Sequence, residues 1–420
     1  MTSEIKQRIE QIRRGEVPEG YVKTALELAP ANWKRYTFGD IYTERKEPGD
    51  ENLPLLMVSI HSGVSDGEVD AAELPKQVKR IEDKSQYKKA VSGDLVFNMM
   101  RAWQGAIGTV RTTGMVSPAY IVAEPNDKAY PLFMDYYSRT PQMINQIDRQ
   151  SYGVTDFRKR LYWDSFAPIS CTLPPIEEQQ KIAAILTTQD RVIELKEKCL
   201  AEKQRQKKYL MQQLLTGKKR LPGFNGTWEK EKLGKCASMC SGGTPDTKNE
   251  KYYGNDYIWI SIKDMTSAGK YICSSERGLT ETGLLNCSAR LFPKGTILFA
   301  MYASIGECSI AETECCSSQA ILGIEPDSKL NNEFLYYLLS NSKGYFKSFG
   351  QASSQPNLNK GIVQSIVVQI PEIEEQTAIA EVLSTADHEI DLLQQDIEQE
   401  KQKKKALMQL LLTGIVRVKT

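Results

Sequence analysis

The side chains that most often carry out catalysis are sparse in this sequence. Only two histidines occur among the 420 residues, His61 and His388, so a nucleophile activated by histidine has almost no candidates. The paired carboxylates Glu177–Glu178 lie where a helix is expected to begin, and there negative charge favours the helix dipole without any acid–base role. Neither a glycine-rich phosphate loop nor a dinucleotide-binding motif is present. The sequence therefore favours a protein that binds its ligand and does not transform it.

The cysteines indicate a reduced protein without a disulfide framework. Their number is nine, which is odd, and Cys315 and Cys316 are adjacent. Seven of them fall between Cys236 and Cys316, which leaves a thiolate zinc site open, but no C-x2-C pair supports it. We interpret them as buried thiols and predict no metal site and no cofactor. The charged N-terminus and the lack of a long apolar run predict a cytoplasmic protein.

Charge is segregated along the chain, although 54 basic and 53 acidic residues nearly cancel. The stretch "KQRQKKYLMQQLLTGKKR" is strongly basic, whereas "ADHEIDLLQQDIEQE" is acidic. A nucleic-acid binder with protein partners needs such segregation. A solvated helix face would produce the same runs, so charge alone does not decide between these interpretations.

One segment of the sequence is repeated within the chain. Residues 173–221 align without a gap to residues 370–418, with about 22 identities in 49 positions, and the copies begin "LPPIEEQ" and "IPEIEEQ". Each copy predicts one long helix that starts near Pro174 or Pro371 and stops at Gly217 or Gly414. About forty residues would give a rod of roughly 60 Å.

A rod of this length must bury an apolar stripe, and both copies carry the same heptad column. The column runs through Leu186, Ile193, Leu200, Lys207 and Leu214 in the first copy, and through Leu383, Ile390, Ile397, Lys404 and Leu411 in the second. The simplest partner of each predicted helix is the other one. The alternative is that each helix packs separately on its own neighbouring domain.

The duplication extends upstream of both predicted helices. "ANWKRYTFGDI" and "GTWEKEKLGKC" each place a tryptophan six residues before a glycine, and "SPAYIVAEP" matches "SQAILGIEP". Short apolar runs such as "DLVFNMM" and "TILFAMY", bounded by glycine and proline, predict strands. The chain is therefore expected to be an α+β protein of two pseudo-two-fold-related α/β domains, each followed by a long helix, with the helices forming an antiparallel coiled coil.

These residues resemble the specificity subunit of a type I restriction–modification enzyme. The resemblance rests on the repeated "P-x-I-E-E-Q" with its helix ending in "LLTG", on "GGTPDTKNEKYYGNDYIWISIKDM", and on "MRAWQGAIGTV" followed by "GMVSPAYIV". It implies two target recognition domains that each read half of a bipartite, asymmetric site in double-stranded DNA. The long helices would set the unread spacer, which is the number of base pairs between the two halves that neither domain recognises. It also implies docking of modification (methyltransferase) subunits, two of them, and then of restriction (endonuclease/translocase) subunits. The family's specificity subunit does no chemistry itself.

The resemblance implies five segments. They are an N-terminal helical arm (1–29), a first target recognition domain (30–172), a first long spacer helix (173–221), a second target recognition domain (222–369) and a second long spacer helix (370–420). Two other functions stay open. One is the detached recognition half of a fused restriction–methylation enzyme, against which the missing methylase motifs argue. The other is a coiled-coil scaffold whose two α/β heads bind protein or carbohydrate.

Candidate DNA-binding residues are the polar side chains in loops next to the duplicated strands, because arginine, glutamine and asparagine read base edges while lysine and hydroxyl groups hold phosphates. In the first domain they are Arg101, Gln104, Arg158, Lys159 and Arg160, with Lys76, Lys79, Arg80, Lys88 and Lys89 on the DNA backbone. In the second they are Lys263, Ser304, Gln319, Gln351, Ser353, Ser354, Gln355, Asn357 and Asn359. Ordinary solvation of a polar surface is the competing explanation for each of them. Trp103 and Tyr120 are expected in the core.

Overall fold

The protein consists of two compact units. The structure is a computed structural model that describes residues 3–23, 28–50, 52–60, 63–65, 86–155, 158–346 and 358–418. Unit 1 comprises Met1–Leu195 together with Ile397–Thr420, and unit 2 comprises Lys196–Asp396. Each unit contains one mixed α/β head and parts of both long helices. We call these the first head, in unit 1, and the second head, in unit 2.

Unit 1 is built around an antiparallel sheet. Its strands are β1 (Tyr21–Lys23), β2 (Leu28–Pro30), β3 (Lys34–Thr37), β4 (Tyr42–Glu44), β5 (Val58–Ser59), β6 (Gly63–Val64), β7 (Lys88–Ala90), β8 (Leu95–Asn98), β9 (Ile107–Thr109), β10 (Gly114–Val116), β11 (Tyr120–Pro125) and β12 (Ser170–Leu173). Its helices are α1 (Ser3–Arg13), α2 (Phe38–Ile41), α3 (Pro131–Tyr137), α4 (Pro141–Gln150), α5 (Trp163–Phe166) and the start of α6 (Ile176–Leu214), with a 3₁₀ turn at Ala102–Gln104. The central sheet has the order β4-β11-β8-β9, and β3 pairs with β12 beside it.

Unit 2 repeats this plan with additions. Its strands are β13 (Glu229–Lys232), β14 (Ala237–Ser241), β15 (Tyr253–Gly254), β16 (Tyr257–Ile260), β17 (Tyr271–Ile272), β18 (Gly278–Leu279), β19 (Ile297–Ala300), β20 (Cys308–Ala311), β21 (Cys316–Ser317), β22 (Ile321–Pro326) and β23 (Val367–Ile370). Its helices are α7 (Leu233–Cys236), α8 (Ile262–Ala268), α9 (Glu281–Leu285), α10 (Asn332–Asn341), α11 (Lys360–Ser365) and most of α12 (Ile373–Leu411), with a 3₁₀ turn at Glu250–Tyr252. The sheet β14-β22-β19-β20 matches that of unit 1, and β17 adds a parallel fifth strand.

The central strands form because their side chains are apolar on both faces. Strand β8 ("LVFN") and strand β19 ("ILFA") are almost wholly buried, since helices and further strands cover both sides. The core of each unit also includes both long helices. Ile182 and Leu186 of α6 join Leu411 of α12 in unit 1, while Ile379 and Leu383 of α12 join Leu214 of α6 in unit 2.

Within each unit the two long helices run antiparallel, as predicted. In unit 1 the amide of Gln189 donates to Glu400 at 2.7 Å. In unit 2 Lys196 pairs with Asp396 at 2.8 Å and Lys203 with Glu389 at 2.7 Å, so rising numbers on one helix meet falling numbers on the other. Such half-exposed ion pairs contribute at most about 1 kcal/mol each. Most of the stabilisation therefore comes from the buried heptad column.

The lysines that interrupt the apolar column have a shared structural explanation. In unit 2, Lys207 pairs with Asp387 of the other long helix, and the Tyr337 hydroxyl of the head donates to the same carboxylate at 2.6 Å. Lys404, Asp190 and Tyr136 repeat this triad in unit 1. Burial, with the hydrogen bond to Asp190, raises the pKa of Tyr136 to about 12. Because charged groups in an apolar seam are satisfied in one register only, the triads set the helix register and attach each head to it.

The second glutamate of each "EEQ" motif holds the tail of the opposite helix. Glu178 is only 1% exposed, and its carboxylate accepts two hydrogen bonds of 2.7 Å from Arg417 and one of 3.3 Å from the Trp33 indole. In unit 2 the corresponding side chain, Glu375, binds Arg220 and Trp228 in the same way. Both glutamates of each pair lie in the first helical turn, as predicted, and the second also forms this buried contact, which the sequence did not reveal.

The glutamine of the motif joins helix to head. The Gln179 amide accepts from the backbone N–H of Tyr130 at 2.8 Å and donates to the carbonyls of Lys128 and Pro174 at 2.9 Å. Gln376 makes the equivalent three bonds in unit 2. Both amide groups are buried, and their oxygen and nitrogen atoms have hydrogen-bond partners. They therefore hold the first helical turn in a fixed position against the head.

The N-terminal arm packs on the segment that follows the second long helix, all within unit 1. The Arg8 guanidinium donates to the Ile415 carbonyl at 3.2 Å, and the Tyr21 hydroxyl donates to the Gly414 carbonyl at 2.7 Å. Gly414 has φ +69, and a Cβ there would lie 2.6 Å from Pro30, so only glycine fits this contact.

Two further observations concern the described residues alone. None of their helices has the length and apolar character needed to cross a membrane. Their histidine, cysteine and acidic side chains form no group of three or more that could hold a metal ion.

Candidate nucleic-acid interface

Three loops meet at one edge of the central sheet in the first head. The β8–β9 loop binds the segment before β11 through a hydrogen bond of 3.0 Å from Met99 N–H to the Ala119 carbonyl. It binds the segment before α5 through a bond of 2.9 Å from Leu161 N–H to the Met99 carbonyl. We call the exposed face of these loops the first edge surface.

The second head has the same three-loop frame. Met301 N–H donates to the Ala320 carbonyl at 2.9 Å, and Leu358 N–H donates to the Met301 carbonyl at 3.1 Å. We call this face the second edge surface. The β19–β20 loop reaches it through Ala303, the one non-glycine residue with a positive φ (56°) in the described chain. The two heads therefore hold equivalent loops on equivalent backbone contacts but differ in the side chains they present.

The structure brings five of the predicted residues of the first head together on the first edge surface. Arg101 and Gln104 are exposed and flank the 3₁₀ turn of the β8–β9 loop, which Gly105 (φ +105) closes. Arg158, Lys159 and Arg160 come from the loop before α5. The ammonium of Lys159 lies 5.1 Å from the Trp103 ring centroid and pairs with Asp148 at 2.8 Å. These arginines, the glutamine and the lysine are the side-chain types that hold phosphates and read base edges.

Lys88 and Lys89, by contrast, are engaged inside the first head. The ammonium of Lys88 donates to the Tyr120 carbonyl at 2.8 Å, and burial lowers its pKa. Lys89 pairs with Glu47 at 3.0 Å. Their contact with DNA phosphates stays a prediction, and for Lys88 it would require exchanging a bond that already supports the sheet edge. Lys76, Lys79 and Arg80 lie outside the described residues.

In the second head the predicted residues fall on all three loops. Ser304 follows Ala303 in the first loop, exposed Gln319 lies in the second, and exposed Asn359 begins α11 beside the third. The Asn359 side chain caps α11 by accepting from Ile362 N–H at 3.0 Å, so it already has a structural role. Gln351, Ser353, Ser354, Gln355 and Asn357 lie outside the residues that the structure describes.

Lys263 lies on α8, whose preceding strand β16 touches the second edge surface. The Ser318 N–H donates to the Ile260 carbonyl at 2.9 Å. The Lys263 ammonium pairs with Glu276 at 2.6 Å, and this hydrogen bond raises its pKa. Both side chains are exposed, so water can replace this pair at little cost when a phosphate approaches.

The sequence reasoning missed the aromatic and aliphatic side chains of the first edge surface. Tyr152, Val154, Tyr162 and Met100 are all exposed there, and the rings of Tyr152 and Tyr162 lie 5.7 Å apart. Trp103 and Tyr120 are half-buried. The sequence did carry a signal for them, because aromatic residues lie on either side of "RKR". A search restricted to polar residues did not consider these aromatic residues.

The sequence matches the family described as "Type I restriction modification DNA specificity domain" over residues 71–203 and again over residues 225–402. The two matches follow the internal repeat, and together they cover most of the chain. They end inside α6 and α12, so the family pattern includes much of each long helix.

Similar proteins carry corresponding descriptions. The type I restriction enzyme MjaIX specificity subunit of Methanocaldococcus jannaschii is 35% identical over 167 residues, which are 39% of this chain and 39% of that protein. The MjaVIII specificity subunit of the same organism is 26% identical over 363 residues, 80% of this chain and 83% of that protein. The solved HsdS subunit from Thermoanaerobacter tengcongensis has a TM-score of 0.52 at 20% identity and covers 92% of this chain and 98% of its own, which shows a shared fold.

Proposed function

We propose, from the premise that this chain belongs to the family of type I restriction–modification DNA specificity domains, that it is the subunit of such an enzyme that recognises DNA. Each head reads one half of a bipartite, asymmetric sequence in double-stranded DNA. Residues 30–172 and 222–369 are the two readers, and residues 173–221 and 370–420 are the helices that set the unread spacer between the half-sites.

The observation that carries this proposal is the repeated frame with unlike side chains. The three-loop contact around Met99 and the one around Met301 use the same backbone hydrogen bonds. On that frame the first head presents Arg101 and Gln104, whereas the second presents Ala303 and Ser304. Because base recognition depends on side-chain donors and acceptors, two heads of this kind are expected to read two different sequences.

We assign no catalytic step to this chain. The buried carboxylates Glu178 and Glu375 are each engaged with an arginine and a tryptophan, so they are poor candidates for proton transfer. Burial raises the pKa of the Cys315 and Cys316 thiols to about 12, which is opposite to what a nucleophilic thiolate requires. Methylation and cleavage would then be carried out by modification (methyltransferase) and restriction (endonuclease/translocase) subunits. A DNA reader of this kind works where the chromosome is, in the cytoplasm.

Exposed apolar side chains at equivalent positions of the long helices support two docking sites for modification subunits. Leu195 of α6 is 49% exposed and Leu392 of α12 is 51% exposed. These leucines occupy the same position in the two copies of the repeat, and one belongs to each unit. The repetition of an exposed leucine at the same position of both copies is the observation on which we place these two docking sites.

Changing either leucine to lysine is expected to halve the number of modification subunits bound. Leu195→Lys and Leu392→Lys each place a charge in an apolar contact, so the complex should contain one modification subunit in place of two, measured by native mass spectrometry. Gln394→Lys, also exposed on α12, is the matched control and should still give two. Two bound subunits in both leucine variants would contradict this assignment.

The proposed function is tested by mapping methylated adenines in the host genome. With the gene present, we expect one motif of two unlike half-sites separated by unread base pairs, and the motif should disappear when the gene is deleted. Exchanging residues 30–172 for those of another family member should change one half-site only. A chain that binds specific duplex DNA no more tightly than an unrelated acidic polymer, at a stated salt concentration, would instead favour the scaffold alternative.

A further inference from the structure

The first edge surface combines basic side chains with an unusual amount of exposed apolar surface. Val154 is 90% exposed, Tyr152 58%, Tyr162 43% and Met100 39%. Val154 is the most exposed of the large apolar side chains in the part of the chain that the structure describes. Single exposed apolar residues need no explanation, but here the rings of Tyr152 and Tyr162 lie 5.7 Å apart and Val154 is two residues beyond Tyr152 in the same loop.

The loop that presents these side chains is held closed by its own backbone. Tyr152 and Arg160 exchange hydrogen bonds of 3.1 and 2.9 Å, and Arg158 N–H donates to the Thr155 carbonyl at 2.8 Å. A Cβ on Gly153 would lie 2.5 Å from the Arg158 carbonyl, so this glycine allows the two sides of the loop to touch. Val154 directly follows this glycine and is exposed.

The surrounding positive charge, together with the family match to a DNA specificity domain, points to DNA as the ligand of this surface. The guanidinium groups of Arg101 and Arg158 pair with no carboxylate among the described residues, and both side chains are exposed. Lys159 lies over the Trp103 ring beside them. A DNA-reading surface places cations around the groups that enter the groove.

Within the major groove one base alone offers an apolar group. Thymine carries a C5 methyl, while the other base edges present hydrogen-bond donors and acceptors. Valine has no donor or acceptor in its side chain, so it cannot read any of those. On the basis of the proposed function, we infer that Val154 is a specificity-determining residue that contacts a thymine methyl group in the half-site read by the first head, with Tyr152 and Tyr162 on the same surface.

The test replaces thymine by deoxyuridine, which lacks only that methyl group. The full chain is assembled with its modification subunits and bound to a duplex that carries the mapped methylation motif. Each thymine of the half-site assigned to residues 30–172 is replaced in turn, on either strand. We expect one or two replacements to weaken wild-type binding about fourfold, the effect of losing one buried methyl group.

Val154→Ala provides the decisive comparison. This variant should bind the thymine and deoxyuridine duplexes equally, with the affinity that the wild type has for the deoxyuridine duplex. Val22→Ala, an exposed valine of β1 in the same unit, is the matched control and should keep the wild-type dependence on the methyl group. Because both positions are exposed, neither variant is expected to disturb folding.

Three outcomes would overturn the inference. They are a half-site without thymine on either strand, a wild-type complex that no deoxyuridine replacement weakens, and a Val154→Ala variant as sensitive to the replacement as the wild type. Failure of the proposed function is distinct from all three, because it would appear earlier as the absence of a gene-dependent bipartite methylation motif.

Discussion

A matched four-residue insertion in both long helices, after Leu195 and after Asp396, is expected to lengthen the unread spacer by one or two base pairs and to leave both half-sites unchanged. Four residues add about 6 Å of helix and slightly more than one full turn, and DNA rises about 3.4 Å per base pair. These sites lie where the chain passes between the two units, so the pairs inside each unit are kept, including Gln189–Glu400 and Lys207–Asp387. Methylation mapping of the variant measures the new spacer.

An insertion in one helix alone is the control for this prediction. Four residues added near Gln189 only would shift α6 against α12 by one turn, so the polar triads and the ion pairs on one side of the insertion could not form together. We expect that variant to lose stability and methylation at both the old and the longer spacer. If the matched insertion changed a half-site, or left the spacer unaltered, the helices would not act as the ruler.

Glu178→Gln is expected to lower the free energy of unfolding of unit 1 by about 2 kcal/mol. The change keeps the shape of the side chain and an acceptor for Trp33, but it removes the charge that holds Arg417 through two hydrogen bonds. Breaking a fully buried pair costs about 3–5 kcal/mol, and the 32% exposure of the Arg417 side chain lets water offset part of that loss. Urea denaturation with hydrogen exchange in unit 1 measures the effect.

The neighbouring glutamate provides the control for this prediction. Glu177→Gln removes the same charge one residue earlier, at an exposed site on the first helical turn, and should cost no more than about 0.5 kcal/mol. Glu375→Gln and Glu374→Gln should rank in the same order in unit 2. Equal effects of the two changes in either unit would show that general charge near the helix start, and not the arginine contact, accounts for the stability.

The long helices were the part of the fold that sequence could predict best. Their heptad column, prolines and glycines are local signals, and the structure gives two helices of 39 residues each, Ile176–Leu214 and Ile373–Leu411. The antiparallel direction followed from the pseudo-two-fold arrangement expected of two equivalent halves, and the contacts within each unit confirm it. Lys207 and Lys404 had no sequence-level explanation, because the aspartate and tyrosine that satisfy them come from the other helix and from the head.

The candidate nucleic-acid interface and the contacts that hold the helices in place were harder to predict, because the residues that form them are distant in sequence. Glu178 and Arg417 are 239 positions apart, so no local pattern reveals that the second glutamate of the motif is a buried anchor. Loop placement brought Arg101 and Arg158 to one surface, since each follows a duplicated scaffold position. It did not reveal Val154 or Tyr152, because apolar residues in a sequence are read as core by default and only the folded loop shows them facing outward.

The division of the chain between the units has a consequence for its synthesis. Unit 2 is one continuous segment, Lys196–Asp396, whereas the core of unit 1 also includes Leu411 and Leu412, which follow that segment in the chain. Proteins commonly mature from the N-terminal domain onwards as they leave the ribosome. Here the core of unit 1, which begins to be translated first, is completed only after all of unit 2 has been translated.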